Sequence, residues 1–269
     1  MIDAGIGSLI MGPCSDSEKP VTPMKTDKPS GDSGEVFDPR GLGRGDEVKA
    51  GDDVTPAAQR ARVKICGITS REDALAAVSA GADALGFNTW EGSKRYMDIQ
   101  EAGGWMLDLP AFVTRVALCI NRPLEEALEI AQLPWVDALQ FHGDESVDYC
   151  ERFSKAGFPF IRAVRLGAAE DLEKLDQWST SSVLVDAAVA GAYGGTGALA
   201  DMTLARQAVE RFPRLNITLA GGLTPLNVHE AVAAVRPYAV DVASGVESAP
   251  GRKGAELMRA FVTRVLQSR

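Results

Sequence analysis

Histidine is nearly absent from this chain: only His142 and His229 occur. Cysteine is sparse as well. Cys14, Cys66, Cys119 and Cys150 stand at no metal-ligand spacing from one another or from a histidine. That argues against a structural zinc site, and no metal is expected. Reduced thiols in a cytoplasmic protein are the simplest reading of such cysteines. Long apolar runs are missing too. None approaches the ~20 residues needed to span a bilayer, so no membrane partner is expected. Positive charge is in deficit, with 28 Lys and Arg against 37 Asp and Glu and a net charge of −9. A nucleic-acid surface, which calls for a basic face, is not expected.

Apolar residues are also unevenly spread. Met1–Arg60 holds 9 Gly, 6 Pro and 5 Ser, and no helical or strand period runs through it. Segments such as Ser30–Gly34 and Gly41–Gly45 bury too little apolar surface to offset the entropy of ordering. Residues 1–60 are expected to be a disordered N-terminal extension without a role in chemistry, a docking tail being the alternative. With 11 acidic and 7 basic residues, the segment fits neither a signal nor a transit peptide.

From Arg62 a rhythm sets in. Strand candidates are Val63–Cys66, Ala84–Phe87, Val113–Cys119, Ala138–Phe141, Phe160–Ala163, Val183–Asp186, Ile217–Ala220 and Val240–Ala243. Helical patterns fall at Arg71–Ala80, Ile99–Asp108, Leu124–Gln132, Ser146–Ala156, Ala169–Trp178, Met202–Phe212, Pro225–Val235 and Lys253–Leu266. Thr69 or Ser70 should cap the first helix and Gly81 should end it, while Pro225 suits a first helical position. The strands read as continuous apolar runs, as they do when both faces are covered. Eight strand–helix units predict a single (β/α)8 TIM barrel over residues 61–269. A doubly wound sheet is the alternative, but the turn Cys66-Gly67-Ile68-Thr69 lacks its Gly-x-Gly-x-x-Gly pattern.

In such a barrel the chemistry sits at the C-terminal ends of the strands. Gly194-Gly195-Thr196-Gly197, Gly221-Gly222 and Ser244-Gly245 fall at strand ends 6, 7 and 8, where backbone N–H groups can hold a phosphate. Cys66 ends strand 1 ahead of a helix and near Lys64, two features that lower a thiol's pKa. A buried strand cysteine is the competing reading, and the direction of Lys64 is open. Asp186 closes a buried strand, where a carboxylate is costly unless paired or solvated at a cleft. Arg95 offers a planar fork for a carboxylate, or is an ordinary surface arginine. Asp241 is either a ligand contact or a structural aspartate, and His142 either catalytic or pocket-shaping.

Together these segments resemble the phosphoribosylanthranilate isomerases of tryptophan synthesis. The resemblance rests on Val63–Thr69, Ser93-Lys94-Arg95-Tyr96, Gln140–Glu145, Gly194–Gly197, Ala220–Val228, Val240–Glu247 and Pro250–Lys253, in family order. It implies an Amadori rearrangement of a phosphosugar, an aminoaldose becoming an aminoketose, with no cofactor. It implies Asp186 as general acid and Cys66, as thiolate, as general base. Arg95 would hold the anthranilate carboxylate, and Gly195, Gly197, Gly222 and Gly245 would lie along the phosphate. His142, Gly221 and Ser244 complete the expected binding set. Asp241 would accept a hydrogen bond from the amine or a sugar hydroxyl. Asn88-Thr89-Trp90-Glu91-Gly92 departs from the aromatic, proline-containing stretch usual in the family, so this loop is expected to shape the anthranilate end differently. Indole-glycerol-phosphate synthase, a related barrel, would need catalytic lysines and a glutamate that this chain lacks at strands 3 and 5. A catalytically dead scaffold is disfavoured by retention of Cys66 and Asp186. A monomer or homodimer is expected.

Overall fold

A computed structural model of the chain describes residues 60–187 and 201–268. Each apolar run forms a strand, and the segments between them supply the outer layer. The order is β1 (Arg62–Cys66), α1 (Arg71–Ala80), β2 (Ala84–Asn88), α2 (Gly103–Met106), β3 (Thr114–Cys119), α3 (Leu124–Ala131), β4 (Ala138–Phe141), α4 (Val147–Lys155), β5 (Phe160–Leu166), β6 (Ser182–Ala187), α5 (Met202–Arg211), β7 (Asn216–Leu219), α6 (Val228–Val235), β8 (Ala239–Val242) and α7 (Ala255–Leu266). β1 to β8 form a closed parallel barrel in sequence order, and β1 returns to pair with β8. Among the described residues no helix is long and apolar enough to cross a membrane. The expected disorder of residues 1–60 lies, but for Arg60, outside the described residues, as does Gly194–Gly197.

Alternation along each strand divides the two faces. Val63, Ile65, Leu85, Phe87, Leu139 and Phe141 point outward into one large apolar cluster shared with the helices. Phe153 of α4 and Phe261 of α7 are fully buried in it, each contributing about 1.5–3 kcal/mol. The alternate positions, including Cys66, Val116, Leu118, Ala163, Leu184 and Ala220, form two small clusters inside the barrel.

Caps fix several element ends. The Ser70 hydroxyl accepts from the Asp73 N–H at 3.1 Å, and Gly81 ends α1 in the left-handed region at φ 98°. Three helical expectations need correction. Ile99–Asp108 yields only the single turn of α2: Asp98 ties the preceding residues into a turn by accepting from the N–H groups of Gln100 and Glu101, and the helix that follows opens on two poor helix formers, Gly103 and Gly104. Ala169–Trp178 yields a 3-10 segment, Ala169–Lys174, where Asp171 turns back to accept from Gly167 and Ala168. Pro225 precedes α6 rather than opening it, since Asn227 folds back on Thr224 and Gly222 first. One element was not foreseen. After β8, a short 3-10 turn leads into an antiparallel pair, β9 (Glu247–Ala249) and β10 (Arg252–Lys253). Thr69 donates to the Gly251 carbonyl at 2.7 Å, and Asp73 accepts from the Lys253 N–H at 3.0 Å. These bonds anchor the hairpin beside the end of β1.

Candidate active site

The C-terminal end of the barrel is where the inward positions become polar. On β1, Lys64 and Cys66 share one face, two residues apart. In the β1–β8 ladder Lys64 stands beside Asp241, and in the β1–β2 ladder Cys66 stands beside Gly86. Lys64 is 3% exposed, and its ammonium donates to Asp241 Oδ1 at 2.6 Å. Burial works against the lysine's charge, but the carboxylate beside it and the neighbouring Cys66 site hold its pKa above the usual lysine value.

Cys66 is 6% exposed. Burial pushes its thiol up. Lys64 and Lys253 pull it down and Asp241 adds to the rise, so the net direction is upward. This differs from the lowered thiol expected of a helix start and a cation, because desolvation outweighs both. Burial raises the other two described thiols as well, Cys119 to about 12 and Cys150 to about 11.

Arg95 comes over from the loop after β2, its side-chain stem lying across Gly67. Ser93 accepts from the Arg95 N–H at 3.0 Å and from Asn88 Nδ2 at 3.1 Å, which sets the path of this loop. The Arg95 guanidinium forks onto Glu247, with Nε to Oε1 at 2.6 Å and Nη2 to Oε2 at 3.0 Å. Lys253 donates to the same Oε1 at 3.1 Å and to the Ala243 carbonyl at 2.9 Å. Burial would raise the Glu247 carboxyl, yet Arg95 and Lys253 hold it below the ordinary glutamate range. Neither Glu247 nor Lys253 stood out as a site residue in the sequence. Both arrive on the short hairpin, which carries no readable period.

The opposite wall is built on β4 and β6. Asp186 and His142 are 7% and 9% exposed, and His142 Nε2 lies 3.4 Å from Asp186 Oδ2 without hydrogen-bond alignment. Behind the ring, fully buried Gln140 places its Nε2 3.1 Å from His142 Nδ1. Glu145 then clamps the loop that follows. Its carboxylate accepts from the N–H of Asn121 at 2.8 Å, the N–H of Gly143 at 2.9 Å and Arg162 Nη1 at 2.7 Å. Arg162 also donates to the Phe141 and Gly143 carbonyls, at 3.0 and 3.1 Å.

The glycine end lies after β7 and β8. Gly221 and Gly222 take φ of 91° and 63°, the left-handed region that favours glycine. Among the described residues their N–H groups donate to no protein acceptor. Gly245 packs so closely on the Leu223 carbonyl that a side chain could not fit. Ser244 is exposed beside it, so the loops after β7 and β8 form one rim. Of the expected site residues, Cys66, Arg95 and Asp241 gather on one wall, Asp186 and His142 on another, and Gly221, Gly222, Ser244 and Gly245 on the rim. Gly195 and Gly197 lie outside the described residues.

A closed (β/α)8 barrel with ionisable side chains at the strand ends and a glycine rim is the layout of a barrel enzyme that moves protons on a phosphorylated substrate. Comparison with known proteins narrows the class. The family model of N-(5'-phosphoribosyl)anthranilate isomerase matches residues 63–264. The isomerase of that name from Geobacter metallireducens is 47% identical over 76% of this chain and 98% of its own length. The solved phosphoribosyl anthranilate isomerase of Thermus thermophilus superposes with a TM-score of 0.70 at 36% identity, covering 77% of this chain and 100% of that one. A second solved structure, of phosphoribosyl anthranilate isomerase in complex with reduced 1-(o-carboxyphenylamino)-1-deoxyribulose 5-phosphate, matches at a TM-score of 0.67 and 35% identity over 77% of this chain and 99% of that one. The chain belongs to the N-(5'-phosphoribosyl)anthranilate isomerase family.

Proposed function

We propose that this chain converts N-(5'-phosphoribosyl)anthranilate to 1-(2-carboxyphenylamino)-1-deoxyribulose 5-phosphate, an aldose–ketose isomerisation in tryptophan synthesis. The observation that carries the reading is the pairing of two walls. Cys66 stands among Lys64, Arg95 and Lys253 on one side, and Asp186 stands beside His142 on the other. Asp186 protonates the furanose ring oxygen, and the ring opens to a Schiff base. Cys66, as thiolate, removes the C2' proton. The resulting enolamine takes a proton at C1' and tautomerises to the ketone. C1' is reduced and C2' oxidised within one molecule, so the reaction needs no external electron carrier.

Arg95 binds the anthranilate carboxylate with the part of its fork not given to Glu247. Gly221, Gly222, Ser244 and Gly245, with Gly195 and Gly197, hold the phosphate through backbone N–H groups. Asp241 and His142 contact the amine and sugar hydroxyls. Residues 61–269 act as the isomerase domain, a monomer or homodimer in the cytoplasm, and residues 1–60 take no part in the chemistry.

Turnover of phosphoribosylanthranilate, followed by loss of its fluorescence, tests the reading. Cys66→Ala and Asp186→Asn should each lower kcat by about 10²–10⁴-fold, the usual contribution of a positioned proton transfer, with the fold unchanged by circular dichroism. Near-native kcat in either variant removes that residue's role.

A further inference from the structure

Lys64 is a buried cation that the proposed mechanism does not use. Its position is constrained from two sides. Asp241 holds the ammonium at 2.6 Å from the β8 side. On the β2 side stands Gly86, and the empty space over it is shared. A Cβ at that residue would sit 2.8 Å from Cys66 Sγ and 2.9 Å from Lys64 Nζ, closer than real side chains approach. The missing side chain is what lets thiol and ammonium meet there. Among the described residues the charged groups beside the thiol are Lys64 on β1, Asp241 on β8, Arg95 on the loop after β2, and Lys253 with Glu247 on the hairpin. Three cations face two carboxylates, which leaves room for one more negative charge.

We propose that Lys64 is a positioning residue that acts through Cys66: held by Asp241 over Gly86, its ammonium stabilises the thiolate that accepts the substrate proton. Asp241 then serves the base through Lys64, in addition to any contact with substrate. The inference rests on the assignment of Cys66 as base. Arg95 and Lys253 are poor substitutes for this task, since Glu247 engages both, whereas Lys64 shares the space over Gly86 with the thiol and is the cation that acts on it most strongly.

The test uses the full chain with Lys64→Met, Lys64→Arg and the double variant Lys64→Met/Asp241→Asn. The double variant keeps the test valid if Lys64→Met fails to fold with Asp241 buried and unpaired. The ultraviolet absorbance of the Cys66 thiolate is read across pH as the difference between each protein and the same protein carrying Cys66→Ala. Loss of a cation in contact should raise the midpoint by about one to three units. The acid limb of kcat should move with it; KM should hold in Lys64→Met and Lys64→Arg, which keep Asp241, while the double variant is judged on the midpoint alone. Lys64→Arg should restore most of the midpoint. An unmoved midpoint, or a loss expressed only in KM, overturns the proposal. The absorbance titration needs no turnover. A wild-type chain that fails to turn over phosphoribosylanthranilate therefore defeats the assigned function, while the titration still decides whether Lys64 governs the thiol.

Discussion

Arg95 carries two tasks on one guanidinium. Nε and Nη2 are bonded to Glu247, and the proposed reaction needs the remaining edge for the anthranilate carboxylate. Glu247 is therefore what aims Arg95, as Ser93 aims its backbone. Replacing Glu247 by Gln removes a charge-assisted fork worth about 1.5–3 kcal/mol. The expected outcome is a KM raised about tenfold, or 1.4 kcal/mol of lost binding, with kcat less affected; steady-state kinetics would show the split. The same carboxyl makes a pH prediction. Its folded pKa lies below the ordinary glutamate value because Arg95 and Lys253 outweigh its burial. Its stabilisation is complete above that ordinary value and is lost as pH falls through the lower, folded one. Glu247→Gln should thus be less stable than wild type at neutral pH, with the gap closing in acid. Denaturant titrations over a pH series would read this, and a constant gap would show that the ion pairs contribute nothing.

At the scale of elements, Glu145 joins three strands. It receives the chain after β3 through Asn121, the chain after β4 through Gly143, and β5 through Arg162. The side chains of Arg162 and Glu145 are 7% and 2% exposed, so removing one leaves the other charge buried. Glu145→Ala should cost about 3–5 kcal/mol, whereas Glu145→Leu with Arg162→Met should cost much less than the sum of the single changes. Equilibrium unfolding of the three proteins decides it. Because Gly143 follows His142, kcat should fall in Glu145→Ala beyond any loss of folded protein.

The strands themselves were legible, since eight apolar runs such as Val183–Val185 are separated by helical patterns of the right length. Cap chemistry was legible at Ser70 and Gly81. What escaped depends on partners far along the chain. The hairpin of β9 and β10 is too short for a period. The partner of Lys64 is Asp241, on the last strand of the barrel, and no local pattern reports such a pairing. One clue was available: Lys64 precedes Cys66 by two residues on a strand, which puts both on one face. The sequence points to a lowered thiol because the helix start and Lys64 beside Cys66 can be read from it, whereas the depth of burial that raises the thiol cannot.

The charge of the whole molecule divides unevenly. The first 60 residues hold 11 acidic and 7 basic side chains, leaving 26 and 21 in the remainder. An acidic barrel must bind a substrate with a carboxylate and a phosphate through local donors, Arg95 and the glycine rim, because its overall field repels anions. Removing residues 1–58 takes away negative charge without touching any residue of the proposed site. The family match begins at Val63, and all eight strands of the barrel lie in the described residues from Arg60 onward. At physiological salt, where exposed charges are screened beyond ~8 Å, the truncated chain should keep kcat/KM within about twofold, the range of changes that touch no special feature. At low salt its association with the anionic substrate should be somewhat faster than that of the full chain, and that gain should vanish as salt is added. A large loss of kcat at physiological salt would show that the N-terminal segment contributes to the site, and the domain boundary proposed at residue 61 would have to move.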